Sequence, residues 1–99
     1  MIDGLIKKIK SVLLRDSNTF TPCVEYVLQP SGEFISHQRA TMSHILAAKR
    51  KHEDPDMQMA EVIAECTRVD GLKPTAEQVM NFEIALYHKA AHTVMGNGD

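Results

Sequence analysis

Tryptophan is absent from the 99-residue chain, and three Phe and two Tyr supply all of its aromatic surface. A core must therefore be built from Ile, Leu, Val, Met and Ala, which suits packed helices better than a β-sandwich or barrel. Cysteine is nearly as scarce. Cys23 and Cys66 are the only two and no Cys-x-x-Cys pair occurs, so neither a disulfide framework nor a zinc ribbon is encoded and reduced thiols are expected. No apolar run is long enough for a signal peptide or a bilayer span, which predicts a soluble, cytoplasmic protein with no membrane partner. An excess of one charge is missing too: 11 Lys and Arg face 13 Asp and Glu, for a formal charge of −2 with the histidines neutral. Net attraction to a polyanion is thereby excluded, and a nucleic-acid role would have to rest on a local patch. Phosphate-binding glycine loops, internal repeats and low-complexity tracts are likewise absent.

What is present is ordinary for a globular chain. With 43% apolar residues and 24% charged ones, residues 1–99 make one domain with a single modest core and marginal stability. Ile2, Leu5, Ile6, Ile9, Val12 and Leu13 recur every three or four residues, with Lys7, Lys8, Lys10 and Arg15 facing away, so residues 1–16 read as an amphipathic helix. Such a helix can lie on an anionic membrane or dock in a partner's groove, but more often packs on its own core. Asp16-Ser17-Asn18-Thr19 ends it.

From Phe20 to Gln29 the composition becomes strand-like, with Val24, Tyr26 and Leu28 on the apolar side and Cys23, Glu25 and Val27 on the other. A lone strand leaves its backbone groups unsatisfied, so it needs Arg68-Val69, the segment around Phe20 or a strand of another subunit as partner. Pro30-Ser31-Gly32 reads as a turn, with Ser31 capping a helix from Glu33 to about Lys51 whose buried face holds Phe34, Ile35, Met42, Ile45 and Leu46. Asp54 then caps a central helix with Pro55 at its first position and Met59, Ile63 and Cys66 on its inner side. Asp70-Gly71 tolerates positive φ, Pro74 breaks any helix, and Thr75 with Gln78 forms a capping box. The last helix is predicted from Ala76 to about Met95, with Val79, Phe82, Leu86, Ala90 and Val94 on one stripe, and residues 96–99 as a flexible tail. The expected fold is mainly α: a small helical domain of about four helices, with one short strand or minor β-hairpin inside a core spanning 20–95.

No catalytic constellation can be named, so the chain reads as a non-enzyme without cofactor. His88 and His92 stand four residues apart, as a zinc pair would, but lack the intervening glutamate and a third ligand, so no metal site is assigned. His37, His44 and His52 read as surface or locally bonded side chains, and both cysteines as buried structural thiols. Glu53, Asp54 and Asp56 suit a helix N-terminus without catalysis or calcium. Of the six methionines, Met57 and Met59, with Met80 nearby, either fill gaps in a core poor in aromatics or form an adaptable contact surface.

Two segments together carry a family resemblance. Val27-Leu28-Gln29-Pro30-Ser31-Gly32-Glu33 leads into Gln38-Arg39-Ala40, and Thr67-Arg68-Val69-Asp70-Gly71 leads through Pro74-Thr75 into Glu77-Gln78-Val79. Over about residues 20–90 this order of elements and turns resembles the tail assembly chaperones of long-tailed bacteriophages and prophages. The amphipathic segment at 1–16, and Leu72-Lys73 between Gly71 and Pro74, depart from that pattern. The resemblance implies a non-enzymatic protein of the bacterial host cytoplasm that acts in virion assembly. It would bind the tape measure protein, recruit tail tube subunits and self-associate reversibly. The partner contacts would be Ile2, Leu5, Ile6, Ile9 and Leu13, with the Met57/Met59 edge. The competing reading is a small regulatory protein that binds nucleic acid through a helix-turn-helix-like pair, using Arg39, Lys49, Arg50 and Lys51.

Overall fold

The structure is a computed structural model that describes residues 20–96. Three strands and four helices follow one another as β1 (Val24–Val27), β2 (Phe34–His37), α1 (Met42–Lys51), α2 (Pro55–Glu65), β3 (Thr67–Val69), α3 (Ala76–Met80) and α4 (Ile84–Val94). The architecture is α+β, which corrects the expectation of a mainly α fold with one short strand. The sheet is antiparallel in the order β1-β2-β3.

The correction turns on residues 33–40. A helix was expected from Glu33, but Phe34–His37 is extended, and Thr41, not Ser31, is the residue before the first helical turn. The cause lies in β1, whose backbone groups need a ladder that a helix at 34–37 would deny them. Leu28 N–H donates to the Glu33 carbonyl at 2.8 Å and Gly32 N–H to the Leu28 carbonyl at 2.7 Å, closing a loop that turns the chain back on itself. Gly32 sits at φ +82°, a conformation that costs glycine little. The strand partner therefore follows β1 directly. Arg68-Val69, one of the three partners considered for β1, instead pairs with the far side of β2.

Register sorts the side chains. Val24 opposes His37 and Tyr26 opposes Ile35, while Ile35 opposes Val69 and His37 opposes Thr67, so these six share one face. That face lies under α4. Glu25, Val27, Phe34, Ser36 and Arg68 share the other, where the Arg68 guanidinium stands 4.1 Å from the centre of the Phe20 ring. After β3, Asp70 and Gly71 both take positive φ (52° and 83°), and Val69 and Leu72 exchange backbone hydrogen bonds of 2.9 and 3.0 Å across them. This is the two-residue turn with a left-handed pair that Asp-Gly favours. The Asp70 carboxylate also accepts from Phe34 N–H at 2.9 Å, tying the turn to the start of β2.

The single helix expected over 76–95 is also corrected: α3 and α4 are separated at Asn81–Glu83. Asn81 ends α3, its side-chain amide donating to the Glu77 carbonyl at 2.9 Å, and Glu83 begins α4. Asn satisfies such orphan carbonyls better than it serves a helix interior. Ile84, the first residue of α4, is 74% exposed. Thr75 and Gln78 form the expected capping box, with bonds of 2.9 and 3.1 Å. Asp54 and Pro55 open α2 as predicted.

Among the described residues the core has two clusters, and α2 contributes to both. Ala60, Ile63 and Ala64 meet Ala76, Val79 and Ala90 in the first, with Met57, Met59 and Phe82 packed around them. Val62 and Cys66 meet Ala48 and Val94 in the second. Small side chains dominate where the helices meet, so their axes approach closely.

Candidate functional site

The helical layer opens into a shallow apolar groove between α1 and α2. Its position follows from the corner joining them. His52 ends α1, and Asp54 caps α2, whose first helical residue, Pro55, lacks an N–H to leave unsatisfied. Buried Glu61 then ties the corner, receiving Lys51 Nζ at 3.3 Å and His52 Nε2 at 3.0 Å on separate carboxylate oxygens. Burial pushes the Glu61 carboxyl up, but the bonds from His52 and Lys51 and the charges of Lys51 and Lys73 outweigh it and hold the carboxyl below its ordinary value. Gln58 adds a bond from its amide to the His52 carbonyl at 2.8 Å.

The groove is about 210 Å³ in volume, with Ile45, Ala48, Met59, Val62 and Met95 as apolar lining and Lys49, Pro55 and Gln58 at its edges. Ala48 is fully buried, and its methyl group leaves the space that a larger residue would fill. One turn along α1, Met42 and Leu46 extend the apolar stripe into solvent at 63% and 43% exposure, and Met95 adds 39% from the end of α4. The sequence reading placed Met42 and Leu46 on a buried face. They are exposed because the residues before them form β2 rather than a first helical turn, which leaves α1 with ten residues and only Ala48 fully covered.

The contact residues expected from sequence separate. Ile2, Leu5, Ile6, Ile9 and Leu13 lie outside the described residues. Met57 packs against the Ile63 cluster as a filler, whereas Met59 both touches that cluster and lines the groove. Met80 is exposed on α3. The methionine surface beside the groove comprises Met42, Met59 and Met95. Its sequence signal was three thioethers on the apolar stripes of three different helical stretches, which periodicity within one helix does not connect.

A second constellation is buried under α4. His37 is fully buried, and its Nε2 lies 2.7 Å from the Tyr26 hydroxyl while its Nδ1 lies 3.0 Å from Thr67 Oγ1. One ring nitrogen donates and the other accepts, and hydroxyls serve either tautomer, so the neutral ring is satisfied on both sides. Burial, then the positive charge of Lys89, push His37 down to about 4. Burial pushes the Tyr26 hydroxyl up to about 12, and Lys89 Nζ stands 4.3 Å from the centre of its ring. The reading of His37 as a surface or locally bonded side chain is corrected: its partners come from neighbouring strands.

Cys66 is buried as expected, but Cys23 is exposed, which corrects the reading of both thiols as buried. The fold brings His44 Nδ1 to 3.7 Å from Cys66 Sγ, a meeting not foreseen from sequence. It does not build a nucleophile. Burial raises the Cys66 thiol to about 11, and His44 Nδ1 already accepts the Thr41 N–H at 3.0 Å in a capping role. Among the described residues no three His, Cys, Asp or Glu side chains converge as metal ligands, and no helix is long and apolar enough to cross a membrane. Of the cations named for nucleic acid, Lys51 is drawn onto Glu61, and Lys49 and Arg50 are exposed on α1. No protein-family model, curated protein or solved structure matches the chain.

Proposed function

We propose that the protein is a non-enzymatic tail assembly chaperone of a phage or prophage, which binds the tape measure protein in the host cytoplasm and recruits tail tube subunits. The reading rests on the resemblance of the 27–40 and 67–79 segments to that family. The observation that carries it here is the exposed Met42–Leu46–Met95 surface beside the Met59 groove. Thioethers repack around different apolar partners at small cost, and an amphipathic helix lays its apolar stripe in such a groove. A chaperone that covers a long helical partner and later leaves it needs that adaptability more than a rigid pocket.

Met42→Asp together with Leu46→Asp tests the reading, because both side chains are exposed and the fold does not depend on them. Co-expression with a tape measure protein from the same genome should give a stable complex with the parent chain and at least a tenfold lower yield with the double variant. Equal recovery with the variant would remove the groove as the contact. A salt-dependent shift in DNA mobility that the variant leaves unchanged would move support to the nucleic-acid reading built on Arg39, Lys49, Arg50 and Lys51.

A further inference from the structure

A cleft that shares no lining residue with the groove has a different character. Two adjoining recesses of about 510 and 320 Å³ open between the 28–33 loop, the 69–74 turn and the α3–α4 junction. Both are lined by Glu33, Val69 and Phe82, so they are continuous. Ile35, Val69, Phe82 and Leu86 make an apolar lining, and Leu72 stands at the lip with 72% of its surface in solvent. The rim is anionic. Glu33, Asp70 and Glu83 line it together with one cation, Lys73, whose charge is engaged by Glu65 at 2.8 Å.

We propose that residues 2–15 of the same chain dock in this cleft. Within that segment Lys7, Lys8, Lys10 and Arg15 face a single carboxylate, Asp3, for a net charge of four minus one, or +3. Its apolar stripe of Ile2, Leu5, Ile6, Ile9 and Leu13 matches the lining, and its cations match the carboxylate rim. The tether also fits. Phe20 is held against Arg68, whose neighbour Val69 lines the cleft, and among the described residues no strand lies outside β3. Five Cα steps separate Arg15 from Phe20 and span up to about 17 Å, against roughly 10 Å from one side of a sheet to a layer packed on the other. A link this short supplies an effective concentration in the millimolar range, so a modest intrinsic affinity suffices. Docking here covers the Ile2–Leu13 stripe with the chain's own cleft and leaves the Met59 groove open, whatever partner that groove takes.

The test uses the full chain with Ser11→Cys, on the polar side of the stripe, carrying a nitroxide in a Cys23→Ser background; Cys66 is fully buried. Methyl signals of Ile35, Val69, Leu72 and Leu86 should broaden strongly relative to the reduced label, while those of Met42 and Leu46 stay sharp. Leu5→Asp with Ile9→Asp should abolish the broadening. Glu33→Lys with Glu83→Lys, both on the rim, should reduce it severalfold. Unbroadened cleft methyls, or broadening at Met42 and Leu46 instead, would overturn the proposal. So would broadening found only between chains, in a mixture of spin-labelled and isotope-labelled protein, because the occupant would then be a second copy.

Discussion

His37 owes both of its hydrogen bonds to strand register, Thr67 standing directly opposite and Tyr26 diagonally across, so the ring reports on whether the sheet is intact. Its value is pushed down to about 4 by burial and by Lys89, against an ordinary 6.5. The unfolded chain therefore binds a proton between pH 6.5 and 4 that the folded chain does not, and stability rises with pH across that window. Stability linked to His37 is complete above 6.5 and lost as pH falls towards 4, by on the order of 1–3 kcal/mol. Glu61 acts lower, because its depressed carboxyl loses its contribution only as pH drops below the ordinary 4.5. Urea unfolding at pH 7, 6, 5 and 4 should show the first loss in the parent. His37→Gln should be less stable at pH 7 by about 1–2 kcal/mol, from lost hydrogen bonds, with a shallower decline to pH 4. An unchanged slope would assign the titration to another group.

At the scale of elements, caps and turns were legible in the sequence and the strand–helix boundary at 33–41 was not. Asp54-Pro55, Asp70-Gly71 and Thr75 with Gln78 act through bonds spanning two or three residues, so their chemistry can be read locally. Phe34–His37 is extended because β1 needs a partner, a requirement visible in the sequence whose answer depended on the loop at 28–33. The α3–α4 break escaped notice because apolar spacing continues through Phe82 while Asn81 ends the hydrogen-bond ladder. Thr75 is the cap with most at stake, since α3 has only five residues and delivers both Ala76 and Val79 to the core. Thr75→Ala should cost about 1 kcal/mol and Thr75→Ser much less, measured as denaturant midpoints. Equal losses would show that packing of the threonine methyl, rather than the cap, is what matters.

Across the whole molecule, the site was less legible than the fold, because a groove belongs to surfaces that meet rather than to any one stripe. Met42, Met59 and Met95 come from three helical stretches, and only the path of β2 and the corner at His52–Pro55 bring their faces together. The same connectivity governs stability. Ile63 fills the first cluster, and Val62 on the same helix, with Cys66 directly after it, fills the second, so neither cluster persists once α2 is lost. Ile63→Ala should therefore lower stability by roughly 2–4 kcal/mol, a large share of the 5–15 kcal/mol typical of a small domain. Because α2 is common to both clusters, helix loss by circular dichroism and sheet exposure by Tyr26 fluorescence, read in a Tyr87→Phe background, should remain coincident in the variant. Separate midpoints would mean that the sheet with α4 holds together without α2, and that the two clusters are independent units despite their shared helix.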